Sequence, residues 1–291
     1  HLDQIARLYD TGVSAGLAGK VAELLGELSP NPYVFQISPS RFVVWTTTEA
    51  RANQLLQQSA ERFAYPFLVD GISIRCSAVI AQISLEQQLS STGKVSAYLD
   101  FCLQQADCRE DIHVIHDSPA LQTRFDYEVE VERYLEEALE QDLFQVWYQP
   151  VYSVERKCFV ALEALSRLQH PKLGWIPPEL FIRLAGRAGL LTQIMPRQLR
   201  KICQFAQNHQ EIFPTIQNIK INLSPQELAD AGYCHELLTI IRESGLSPAW
   251  FQFEVTESTA TQYTDDLKRC IQQLQRAGVK LCLDDFGSGY A

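Results

Sequence analysis

Carboxylates and one amide recur at the ends of short apolar runs in the second half of this 291-residue chain. Glu163 and Arg167 end "FVALEALSR", Asn222 ends "IKINLS", Glu254 and Glu257 end "FEVTE", and Asp284 and Asp285 end "LCLDD". The intervals from Asn222 to Glu254 and from Glu254 to Asp284 each match one β-α unit of roughly 30 residues. In a parallel barrel the C-terminal strand edges face one common mouth, so groups distant in sequence converge there. Several carboxylates at one place repel unless cations lie between them, because an unpaired buried charge is costly. Oxygen donors with a neutral amide, and no His or Cys among them, suit Mg2+ or Mn2+ rather than Zn2+. Within a regular strand neighbouring side chains point to opposite faces. Asp284 and Asp285 can therefore share a target only where the strand ends and turns, assisted by Gly287 and Gly289. That geometry suits two metals sharing one ligand, with a hydroxide between them aimed at a phosphoryl group. Simpler roles compete for each residue alone: turn chemistry or capping for the Asp pair, an ion pair with Arg167 for Glu163, and a helix cap for Asn222, for which Ser224 is the better candidate. Four clusters in register at four strand ends favour the shared site.

These groups need elements to hold them. From residue 143 on, strands alternate with helices: "FQVWYQPVYSV", "CFVALEALSRL", a helical region from 178 to 209, "IKINLS", a helix over 225–243, "FQFEVTES", a helix over 261–276 and "KLCLDDFG". Repeated β-α units predict a parallel sheet with right-handed crossovers, either an open doubly wound sheet or a barrel, which pattern alone does not separate. The first half has another rhythm. A helix over 12–28, a strand-turn-strand through "YVFQISPSRFVVWTTT", a helix over 50–64, one strand "ISIRCSAVIAQI", a helix near 95–107 and a strand "IHVIHD" predict a small α/β sheet domain ending near residue 118. "SPALQTRFDYE" reads as the connection, followed by the acidic amphipathic helix "YEVEVERYLEEALEQDL".

Composition narrows the classes of function. A net charge of −10 argues against a nucleic-acid surface, which draws its affinity from many Lys and Arg contacts to phosphates. No run approaches the roughly 18 apolar residues of a membrane span, and the first residues lack the basic-then-apolar pattern of a signal peptide. The fragment is thus expected to be cytoplasmic and to make no membrane contact. Anchoring of a longer parent to the inner membrane, through segments outside this chain, is left open. A start at His1, with both ends falling inside patterned segments, is expected of a piece cut from such a parent. The 8 scattered cysteines, without C-x-x-C spacing, read as reduced core thiols.

At "EALSR", "NLS", "FEVTES" and "DDFGSGY" the sequence resembles the EAL family, bacterial enzymes that hydrolyse cyclic di-GMP to pGpG in a metal-dependent TIM-type (β/α)8 barrel. The resemblance covers roughly 128–291, and "YQPVYSV" resembles the family's first barrel strand. It implies that Glu163, Asn222, Glu254 and Asp284 bind one metal, with Asp284 bridging to a second held partly by Asp285. It further implies that Arg167 contacts a substrate phosphate, that Gln149 lines the substrate pocket and that Glu257 braces the loop after its strand. The catalytic set is then Glu163, Asp284, Asp285 and Glu257. Gly186 and Leu168 depart from the family pattern at positions that are not metal ligands. Residues 1–118 resemble, more weakly, a GGDEF cyclase domain in which the signature reads "SPSRF", so the glycine pair and catalytic acids are gone and cyclase activity is not expected. Residues 119–291 are expected to form the barrel domain, incomplete at its C-terminus. The water-orienting Lys and general-base Glu of the family are expected downstream, so the fragment alone is expected to be inactive or poorly soluble. A homodimer is expected by analogy with the family. The alternatives are a non-catalytic cyclic di-GMP receptor signalling through protein partners, and a scaffold that only holds such a partner.

Overall fold

A computed structural model describes residues 11–29, 33–85, 92–106, 112–212, 215–223, 231–256 and 265–284. The chain divides into two units, His1–Asp126 and Tyr127–Ala291.

In the first unit, helix α1 (Thr11–Leu28) presents Leu17, Val21 and Leu25 at four-residue spacing. They share a core with Phe67, Val69 and Ile74 of the antiparallel pair β3 (Phe67–Val69) and β4 (Ile72–Ile74). Strands β1 (Val34–Ser38) and β2 (Arg41–Val44) form the hairpin that the sequence predicts, with Pro39 and Ser40 in its turn. Helix α2 (Glu49–Phe63) starts where the Thr48 hydroxyl accepts from the Arg51 amide at 3.3 Å. The expected single strand "ISIRCSAVIAQI" is two. Its first part is β4, paired back onto β3. Its second is β5 (Ala78–Gln82), which pairs in parallel with β6 (Ile112–His116) after helix α3 (Thr92–Leu103). One run cannot stay regular while its hydrogen bonds change partner.

Helix α4 spans Pro119–Glu140, so the segment read as a connection is its first turns. Ser118 Oγ accepts from the Leu121 amide at 3.2 Å and Pro119 opens the helix, the pairing of a cap with a residue whose missing N–H costs nothing there.

The second unit is built on the sheet β12-β11-β10-β8-β7. Its strands are β7 (Gln145–Ser153), β8 (Cys158–His170), β10 (Asn218–Leu223), β11 (Phe251–Thr256) and β12 (Lys280–Asp284), while β9 (Gly174–Ile176) pairs with the far end of β8. Strands β8, β10, β11 and β12 are parallel, as the β-α rhythm predicts. β7 runs antiparallel to β8, contrary to the all-parallel expectation. Only a short turn, with Lys157 at φ 53°, separates them, and a parallel return would need a full crossover. The expected helical region 178–209 is two helices, α5 (Pro178–Arg187) and α6 (Leu191–Asn208), interrupted at Gly189, whose φ of 70° no helix interior accepts.

One face of this sheet packs against α6, α7 (Ala231–Glu243) and α8 (Asp265–Arg276) through Ile219, Ile221, Phe251, Phe253, Leu199, Leu237 and Leu274. A second core joins α4, α5 and the β8–β9 end through Leu135, Leu168, Ile176 and Phe181. Here His170 is buried, its Nδ1 accepting from the Lys172 and Leu173 amides, each at 3.1 Å, so that it pins the β8–β9 turn. The reduced-thiol expectation fails at one place. Cys234 and Cys270 pair as a disulfide between α7 and α8, with Cα atoms 5.7 Å apart, because those helices pack closely enough to bring the two thiols within bridging span. Cys76, Cys102, Cys158, Cys203 and Cys282 are not in disulfides, and Cys108 lies outside the described residues. No described helix is long and apolar enough to cross a membrane.

Candidate functional site

The sheet face opposite the helices is polar, and strand alternation puts the candidates there. In β10 the odd residues Ile219, Ile221 and Leu223 are buried in the core. The even ones, Asn218, Lys220 and Asn222, therefore point the other way. By the same parity β11 contributes Gln252 and Glu254, β8 contributes Glu163 and Arg167, and β7 contributes Gln145, Trp147 and Gln149. Register sets the neighbours. Gln149 lies across from Glu163 and Gln145 across from Arg167. Glu163 lies beside Lys220, Asn222 beside Glu254, and Thr256 beside Asp284.

Glu163 does not end its strand as expected, because β8 continues to His170 to pair with β9. The ladder between β8 and β10, however, covers only Ala161–Ala164, so Glu163 still sits near the C-terminal limit of the parallel part. Asn222 is next to last in β10 and Asp284 is last in β12.

Hydrogen bonds tie the face together. Asn222 Nδ2 donates to Glu163 Oε1 at 3.1 Å. Lys220 Nζ donates to Glu254 Oε1 at 2.7 Å, and Gln252 Nε2 reaches the same oxygen at 3.1 Å. Asn218 Nδ2 in turn donates to Gln252 Oε1 at 3.1 Å. Glu254 is only 6% exposed, a carboxylate that needs a cation, and Lys220 supplies one. The hydrogen bond to Glu254 holds the Lys220 ammonium charged above its ordinary range, against the opposing effect of partial burial, and the Glu254 and Glu163 charges add to it. Arg167 lies over the Trp147 ring, Cζ to centroid 5.6 Å, and donates to its neighbour's carbonyl, Ser166 O, rather than pairing with Glu163. Trp147 meets Trp175 edge to face at 5.1 Å, and both rings are about half exposed.

The structure thus brings Glu163, Asn222, Glu254, Gln149 and Arg167 onto one face. Asp284 ends β12 beside Thr256 in the ladder, while Glu257 and Asp285 lie outside the described residues. Among the described residues no three His, Cys, Asp or Glu side chains draw together as a metal cluster. Glu163, Asn222 and Glu254 do offer oxygen donors from three adjoining strands, two anionic and one neutral, and this set fits a hard divalent ion. Lys220 and Gln252 were missed in the sequence. The signal was there in the period-two polar alternation of "NIKINL" and "FQFE", but a lone strand lysine reads as a solvated group.

A mostly parallel sheet with helices packed on one face and carboxylates and amides on the other defines the second unit as an α/β protein. Within it, the family model described as "EAL domain" matches residues 132–291, more than half of the chain, and the chain belongs to that family. It is 34% identical over 155 residues to the cyclic di-GMP phosphodiesterase PdeL of Escherichia coli, covering 53% of this chain and 42% of that one. It is 27% identical over 259 residues to the bifunctional diguanylate cyclase/cyclic di-GMP phosphodiesterase MucR of Pseudomonas aeruginosa, covering 83% of this chain and 35% of that one. The chain therefore spans less than half the length of either relative. Among solved structures, "PaMucR Phosphodiesterase, c-di-GMP complex" superposes with a TM-score of 0.52 at 33% identity, covering 56% of this chain and 66% of that one.

Proposed function

We propose that the protein hydrolyses cyclic di-GMP to pGpG with Mg2+ or Mn2+, using the polar face of the second unit. The observation that carries this reading is the gathering of Glu163, Asn222 and Glu254 on adjoining strands, in a chain similar to proteins named as cyclic di-GMP phosphodiesterases. A divalent pair, when bound, supplies an activated water and neutralises charge on a phosphoryl oxygen. Glu163, Asn222 and Glu254 would hold it, joined by Asp284 and by Asp285, which follows it in the sequence. Arg167 offers a planar fork to a phosphodiester oxygen, and Gln149, across from Glu163, offers amide hydrogen bonds to the same ligand. Glu257, outside the described residues, would brace the loop after its strand. In this reading the sheet closes into a (β/α)8 barrel in the complete domain. Residues 1–118 act as an inactive GGDEF-like regulatory unit, and the protein works as a homodimer.

A product assay tests the hydrolysis. The full-length protein with Mn2+ is expected to convert cyclic di-GMP to pGpG, and Glu163→Ala to reduce conversion to the level without protein. Equal pGpG formation by the two would overturn the reading.

The ion pair between Lys220 and Glu254 favours a second reading, a receptor that binds the dinucleotide without cleaving it, since an ammonium already sits on a metal carboxylate. Calorimetric binding of cyclic di-GMP without pGpG formation at saturating Mn2+ would put that reading first.

A further inference from the structure

We infer that Lys220 is a tethered competitor of the divalent ion at Glu254 and sets the metal concentration at which the site fills. The inference rests on the metal-site reading of Glu163, Asn222 and Glu254. Glu254 is nearly sealed from solvent, and its Oε1 receives both Lys220 Nζ at 2.7 Å and Gln252 Nε2 at 3.1 Å. A charge so placed is not left unpaired, and the lysine pairs it when no ion is present. An incoming divalent ion must therefore displace the ammonium from Oε1 or share the carboxylate with it. In either case it meets a positive charge a few ångströms away in a partly desolvated setting, where the repulsion between cations is large. Lys220 has a second acid beside it, because register places it next to Glu163, so its charge faces two of the three described candidate donors at once.

The surroundings support competition over a purely organising role. Gln252 holds the same carboxylate oxygen from within β11, and Asn218 holds Gln252 at 3.1 Å, so Glu254 keeps its orientation when the lysine is removed. Asn222 does the same for Glu163 at 3.1 Å. The ligands are thus oriented by neutral amides, and what Lys220 adds is charge.

The test is Mn2+ binding without nucleotide, by isothermal titration calorimetry and by electron paramagnetic resonance of free Mn2+, on the full-length protein. Lys220→Met is expected to bind Mn2+ roughly tenfold more tightly or better, and Lys220→Arg, which keeps the charge, to bind like the wild type. Lys220→Gln serves the same purpose should the methionine variant not fold. Mn2+ should also raise the melting temperature of the uncharged variants by more than that of the wild type. Equal or weaker Mn2+ binding by the uncharged variants, while Glu163→Ala still weakens it in the wild-type background, overturns this inference and leaves the metal-site reading intact. Absence of Mn2+ binding in wild type and variants alike overturns both.

Discussion

The Lys220–Glu254 pair is unequal, and the inequality has a measurable consequence. Glu254 is 6% exposed and Lys220 28%, so removing the lysine strands a charge in a drier place than removing the glutamate does. In metal-free buffer Lys220→Met is expected to lose about 2–4 kcal/mol of stability, and Glu254→Gln less, as read from urea midpoints at constant slope. A larger loss for Glu254→Gln would reverse the assignment of which partner is costly to orphan. A second residue reports on the core beneath. Burial pushes the Cys203 thiol from its ordinary 9.0 up to about 11. Below pH 9 the thiol is neutral in both folded and unfolded chains and contributes nothing. Between about pH 9 and 11 the unfolded thiol ionises while the folded one keeps its proton, so stability falls as pH rises. Tyr148, raised in the same direction by burial, adds to the loss at higher pH. Melting curves across this range are expected to decline less steeply in Cys203→Ala, once its own destabilisation at pH 7 is subtracted. At this scale the sequence was legible where a residue's type is unusual for its place. Acids and amides ending apolar runs are unusual, so Glu163, Asn222 and Glu254 stood out. A strand lysine is ordinary, so Lys220 did not, although its partner is what makes it matter.

Among the elements, the parallel strands followed from the β-α beat, and the exceptions arose where partner choice rather than propensity decides. β7 turns directly into β8 and must be antiparallel. The run from Ile72 to Gln82 splits because β4 answers to β3 and β5 to β6. Nothing in a single stretch encodes which neighbour it will pair with. The break between α5 and α6 was more accessible, since Gly189 stands at the place where the chain turns left-handed. Helices α7 and α8 carry the element-scale prediction. With Cys234 and Cys270 separated by 36 positions in sequence, closing that loop is expected to contribute roughly 3–4 kcal/mol in oxidised protein. Non-reducing peptide mapping should recover the linked pair, and dithiothreitol should lower the melting temperature. A Cys234→Ala variant insensitive to reductant would tie the effect to this bridge. A wild type with no reductant response would remove the bridge as a source of stability.

For the molecule as a whole, charge shapes how a ligand arrives. Under the proposed function, a net charge of −10 would repel an anionic dinucleotide at long range, while Arg167 and Lys220 would attract it only once it is on the polar face. Salt screens the first interaction over about 10 Å at 0.1 M and leaves the second less affected. The association rate of cyclic di-GMP is therefore expected to rise with NaCl from low to moderate ionic strength in stopped-flow tryptophan fluorescence, with Trp147 and Trp175 as reporters. A rate that falls steeply with salt would mean that local positive charge governs the approach. Net charge was readable from composition, but the location of the cations was not, because two lysines of equal sequence appearance can face a solvent or a site.

Strand β8 carries both Glu163 and Arg167, and from Gln149–Glu163 to Gln145–Arg167 its pairing with β7 runs without a bulge. The spacing between the carboxylate position and the guanidinium position is therefore a length gauge cut into the pleat, about 13 Å over four residues. Loops around the face can vary in length and sequence without altering that gauge. Under the proposed function, an insertion or deletion within β8 itself would change the size of ligand that both positions could grip at once.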